Sequence, residues 1–130
     1  MSRAQLTAAL QAAAQHPDGG AWALQALGNV PGCSWAQAEK SLFGREKSPA
    51  GLTVGEWRFE PTVVSGLPGV RVVHAVGGIR LAETEATLES CAQELAGVIA
   101  DRVQALGTGA QTELAAVTEC LARAAEEVGG

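Results

Sequence analysis

Residues 70–83 read VRVVHAVGGIRLAE, two apolar runs separated by a pair of glycines. Adjacent glycines accept the positive φ angles that a two-residue hairpin turn needs at both central positions. Setting Gly77 and Gly78 at the turn pairs Val76 with Ile79, Ala75 with Arg80, His74 with Leu81 and Val73 with Ala82. One face of the hairpin then carries Val70, Val72, His74, Val76, Ile79 and Leu81. The other carries Arg71, Val73, Ala75, Arg80 and Ala82. The first face holds the larger apolar groups and is expected to meet helices, with His74 in its middle.

Upstream, residues 54–60 alternate Trp57 and Phe59 with Glu56, Arg58 and Glu60, the pattern of a half-buried strand with one wet face. Pro61 bends the chain, and residues 62–64 extend that strand beyond the bend. The middle of the chain therefore predicts a three-stranded, mostly antiparallel sheet over residues 52–84. Downstream, Leu88, Cys91, Leu95, Val98, Ile99, Arg102 and Leu106 recur at intervals of three and four, as do Leu114, Val117, Leu121, Ala124 and Val128. The short Gly107-Thr108-Gly109 link makes residues 85–128 an antiparallel helix pair.

The first 45 residues read as helical. Ser2-x-x-Gln5, Ser34-x-x-Gln37 and Thr108-x-x-Gln111 each match a capping box ahead of an alanine-rich run. The spacing predicts helices over 3–15 and 34–43. Residues 21–27 fit either a helix or a strand, and a short helix suits them better. Residues 44–51, polar with Pro49 and Gly51, read as an exposed loop. The expected class is α+β: N-terminal helices and a C-terminal helix pair around one small sheet in a single domain, residues 1–130.

Composition narrows the function classes. Apolar residues are 47% of the 130, yet aromatics are only 4% and tyrosine is absent, so small side chains make up much of the core. Such a core, together with the open edges of a small sheet, predicts pairing into a homodimer. The net charge of −5 is segregated: residues 81–130 hold Arg102 and Arg123 against nine acids. That argues against duplex nucleic acid and favours a basic protein partner. Cys33, Cys91 and Cys120 form no ligand or disulfide spacing, and no apolar run approaches a membrane span. Plain buried thiols in a cytoplasmic protein are expected, with no cofactor and no metal.

Chemistry-bearing residues are few. His74, beside apolar neighbours, would be a base or ligand, or else a core histidine with one hydrogen-bond partner. Trp57, with Arg45 and Lys47 nearby in sequence, would line a binding groove, or else anchor the core. Cys33 sits before a predicted helix start with no histidine tied to it. Glu83 and Glu85 precede the predicted helix, where acids favour the dipole. The leading expectation is a non-enzymatic interaction module, adaptor or chaperone-like, that uses a sheet edge or an acidic face bearing Glu85, Glu89 and Glu94. A small-molecule pocket near His74 and Trp57, and an enzyme centred on His74, are the alternatives.

Overall fold

The computed structural model describes residues 3–40 and 46–129. In chain order these form α1 (Arg3–Ala13), α2 (Gly19–Leu27), β1 (Cys33–Ala36), β2 (Glu39–Lys40), β3 (Glu46–Ser48), β4 (Gly51–Val54), β5 (Trp57–Val64), β6 (Leu67–Val76), β7 (Ile79–Thr87), α3 (Leu88–Leu106) and α4 (Thr108–Gly129). The α+β class holds. The sheet has five strands rather than the three expected, in the order β1-β4-β5-β6-β7, and every neighbouring pair is antiparallel. β2 and β3 make a separate two-stranded sheet.

The Gly77-Gly78 hairpin forms, with φ of 59° and 83°. Val76 pairs with Ile79 and Ala75 with Arg80, but a bulge then inserts one extra β7 residue. His74 consequently faces Ala82, not Leu81, and Val73 faces Glu83, not Ala82. An extra residue flips the alternation beyond it. Arg80 and Glu83, three apart, therefore meet on one face of the sheet.

β1 and β2 stand where the helix expected over 34–43 would begin, and residues 41–43 of that helix lie outside the described residues. The Ser-x-x-Gln and alanines favour a helix locally, but pairing with β4 and the alternate burial of Cys33 and Trp35 against the core override that preference. The capping reading of Ser34 falls with the helix, and Ser2 lies outside the described residues. At Thr108 the helix begins on the threonine itself, with the Gln111 N–H donating to the Gly107 carbonyl. The observed cap is Thr87, whose hydroxyl oxygen accepts from the Ser90 N–H. β7 thus runs to Thr87, three residues past the expected end, because Ala86 pairs with Val70 and packs on the core.

The helices cover one face of the sheet. Leu6 and Leu10 of α1, Leu24 and Leu27 of α2, Leu95 and Ile99 of α3, and Leu52, Phe59 and Val70 of the sheet are essentially inaccessible. Each buried large side chain contributes roughly 1.5–3 kcal/mol. The covering stops short of the hairpin end. Val72 packs on the core, while Val76 and Ile79 extend past the helices and are exposed.

Candidate functional site

The open edge of the sheet is the first feature with a chemical use. β7 ends the strand order and pairs only with β6 among the described residues. Its residues from Ile79 to Glu85 are all exposed, Ile79 at 66% and Leu81 at 59%. A strand in this position offers a row of N–H and C=O groups to another chain.

The two faces beside that edge differ. On the face away from the helices lies an ionic network centred on Glu60 of β5, which is 1% exposed. Arg80 of β7 grips it with a fork, Nη1 to Oε2 and Nη2 to Oε1, both 3.0 Å. Arg58 Nε donates to Oε2 at 2.7 Å, and Arg71 Nη1 stands 3.6 Å from Oε1. Glu85 takes two bonds from Arg71, Glu83 takes one from Arg80, and a second Arg58 nitrogen donates to the Pro49 carbonyl. Burial alone would raise the Glu60 pKa. The hydrogen bonds and charges of Arg80 and Arg58 outweigh it and leave the carboxyl below its ordinary value of 4.5. Arg80 is correspondingly raised, chiefly by its bonds to Glu60 and then Glu83.

On the helix-covered face, Trp57, His74 and Ala82 stand in one cross-strand row, followed by Phe59, Val72 and Thr84. The Trp57 and His74 rings lie 4.8 Å apart and tilted by 32°, and His74 Nε2 is 3.0 Å from a Glu56 carboxylate oxygen. His74 is therefore a rim residue, a third exposed, and not the middle of a buried face. Between this end of the sheet and α3 is a socket of about 140 Å3, walled by Trp57, Phe59, Val72, Cys91, Leu95 and Val98, with Glu94 at its side. Trp57 itself is 40% exposed, so it forms a wall and does not anchor the core.

The expected site residues scatter. Trp57 and Glu94 come together at the socket, with His74 stacked behind. Glu85 is on a strand and not on an acidic helix, and its carboxylate is held by Arg71. Glu89 is exposed in the first turn of α3. Lys47 belongs to β3 in the separate small sheet, and Arg45 lies outside the described residues. Glu60 was missed because alternation with Phe59 assigns it to a wet face. Only the register that sets Arg71 and Arg80 around it reveals its burial.

The cysteines separate by environment. Burial pushes the thiols of Cys33 and Cys91 up to about 11, against a partial opposing pull from Arg102 at Cys33. Cys120 is exposed, contrary to the expected buried thiols. With a chromogenic disulfide at pH 8, the native protein is expected to react quickly at one thiol and in denaturant at all three. Rapid reaction of more than one thiol in the native state would contradict this arrangement.

Among the described residues no group of three or more His, Cys, Asp or Glu side chains is placed to hold a metal ion, and no helix is long and apolar enough to cross a membrane. No curated protein and no solved structure matches the chain. One family profile does, over residues 1–123. The chain thus belongs to the family described as a domain of unknown function, DUF5073.

Proposed function

We propose that this protein is a non-enzymatic interaction module, an adaptor or chaperone-like accessory, that receives an extended segment of a partner protein along β7. The observation that carries the reading is the open nine-residue edge of β7, exposed from Ile79 to Glu85 beside the apolar hairpin end. Main-chain hydrogen bonds to such an edge supply affinity, and alternate side chains supply selectivity.

The partner's chemistry follows from the two faces. Ala82, Thr84 and Ala86 are small and leave room for large apolar side chains on the helix side. Glu83 and Glu85 on the opposite face are bonded to Arg80 and Arg71 but stay nearly half exposed. Each can still accept from a Lys or Arg directly across, such a pair adding roughly 0.2–1 kcal/mol. A second copy suits the edge less well. Antiparallel registers centred on Glu83 or Thr84 set acid against acid, and small residues against small residues. The socket supports the same reading. Ligand pockets for drug-sized molecules run roughly 300–1,000 Å3. At about 140 Å3 the socket fits a single apolar side chain.

The test uses a labelled peptide of about ten residues, a long strand, alternating Val or Ile with Lys. Saturable binding is expected in fluorescence anisotropy. N-methylation of alternate residues should abolish binding in one of the two possible phases and spare it in the other, because an added strand bonds through one edge only. Equal binding of both N-methylated forms, or no saturable binding by the parent, would overturn strand addition. A stable dimer across concentrations in ultracentrifugation, lost on Ala82→Lys, would assign the edge to a second copy instead.

A further inference from the structure

A groove of about 830 Å3 runs between α1 and α4 and shares no lining residue with the β7 edge. The two helices lie in parallel. Arg3 and Leu6 at the start of α1 sit by Gln111 and Leu114, and at the other end His16 Nε2 is 3.0 Å from the Ala125 carbonyl oxygen. Ala8 and Ala12 face Ala115 and Ala122 across the groove. Thr118, 5% exposed, donates its hydroxyl to the Leu114 carbonyl of its own helix, so the floor shows little polar surface. From Ala115 to Glu126 the groove extends about 16 Å, three helical turns. Alanine walls admit another helix at the short end of the roughly 8–10 Å range of axis separations.

Charge identifies what fits. Glu119 and Glu126 line the α4 side, and no Lys or Arg lines the groove among the described residues. Arg123 pairs with Glu119 on the exposed surface, where such a pair is weak. Because α1 and α4 are parallel, the partial negative charges of both C-terminal ends gather at the His16 end, next to Glu126. Of the helices a second copy would offer, α4, with four glutamates against Arg123, and α3, with three acids against Arg102, would set acid against acid. α1 and α2 carry Arg3 as their sole charge and so lack the several cations that fit the groove.

We infer that the groove binds an amphipathic α-helix of a partner protein, with a narrow face of Ala or Leu and Lys or Arg at its flanks, running antiparallel to α1 and α4. The positive N-terminal end of that helix then meets their C-terminal ends. This site is separate from the β7 edge and stands or falls without it, and a molecule carrying both would join a strand to a helix.

The probe is a synthetic amphipathic peptide of about 18 residues, long enough to form a helix when docked, with Leu and Ala on one face and Lys on the other. Its twin carries Glu at every Lys. Titrated against the full chain, the lysine peptide should saturate and the glutamate peptide should bind at least about tenfold more weakly. Ala8→Trp, which fills the groove from an exposed position, should weaken the lysine peptide at least about tenfold while leaving the urea midpoint unchanged. Ala82→Lys on the β7 edge should leave this affinity as it was. A nitroxide at the peptide's N-terminus should broaden the Ala125 and Glu126 amide signals more than that of Gln5. Equal binding of the two peptides, no effect of Ala8→Trp, or broadening at Gln5 instead would each overturn the inference. So would a dimer that Ala8→Trp dissociates, which would put a second copy in the groove.

Discussion

Glu60→Gln is expected to lower stability by about 3 kcal/mol at pH 7, because it removes a buried charge that three guanidiniums share. The glutamate is 1% exposed, whereas Arg58, Arg71 and Arg80 are partly in water and can rehydrate. Arg71 and Arg80 also keep Glu85 and Glu83 as partners. The loss therefore falls at the lower end of the roughly 3–5 kcal/mol seen when a fully buried pair is broken. The pH dependence has a definite sign. The folded carboxyl titrates below its ordinary value of 4.5, so its contribution is complete above that value and disappears as pH falls through the lower folded one. Urea unfolding of wild type and Glu60→Gln should show a gap that is constant from pH 7 to 5 and closes in more acidic solution. The variant should also speed amide exchange along β7, since the Arg80 fork ties that edge strand to β5 across β6. A gap under about 1 kcal/mol, the size of a surface pair, or one unaffected by acid, would refute this role for Glu60.

What the sequence discloses here depends on whether a residue's environment is local. The Gly77-Gly78 turn is legible because its φ requirement resides in two adjacent residues, and the α3 and α4 stripes are legible because period is a local property. Residues 34–36 mislead because Ser34, Gln37 and the alanines have a helical preference, while the strand at Cys33–Ala36 comes from pairing with β4, more than ten residues away. The bulge at Leu81 has no signature of its own, yet it reassigns every partner beyond it and brings Glu83 and Glu85 onto the face of Arg80, Arg71 and Glu60. Trp57 was found as a binding candidate because an aromatic in an aromatic-poor chain stands out. Its socket partners Cys91, Leu95 and Val98 look like an ordinary core stripe until α3 is laid against β5 and β6. The α1–α4 groove was hidden for the same reason. Alanines read as helix-forming composition, and only the parallel placement of two helices turns them into facing walls.

Gly19→Ala is expected to cost at least about 3 kcal/mol, the upper range for overpacking, and to unfold the protein well below the wild-type midpoint. Gly19 opens α2 and is buried, and a Cβ placed on it would stand 1.7 Å from the carbonyl oxygen of Ala13, the last residue of α1. The obstacle is backbone, so no side-chain rotation relieves it. α1 and α2 must move apart, although each is fastened to the core, α1 by Leu6 and Leu10 and α2 by Leu24 and Leu27, all at 0% exposure. The Gly19 N–H also donates to the His16 carbonyl at 3.0 Å, a bond that fixes the approach of the two helices. Gly109→Ala is the internal control. Gly109 lies in the first turn of α4 with nothing within 4 Å of its added Cβ, so alanine there should stabilise by about 0.5–1 kcal/mol through helix propensity alone. The two substitutions are chemically identical and should have opposite signs in the same urea titration. Loss of stability at both positions would indicate a general cost of adding methyl groups. A Gly19→Ala protein within about 0.5 kcal/mol of wild type, the usual range for uninvolved surface sites, would mean that α1 and α2 do not approach as closely as the Ala13 carbonyl requires. In the predicted case the displaced α1 also distorts the groove it shares with α4, so the lysine-rich helical peptide should bind poorly to Gly19→Ala and normally to Gly109→Ala.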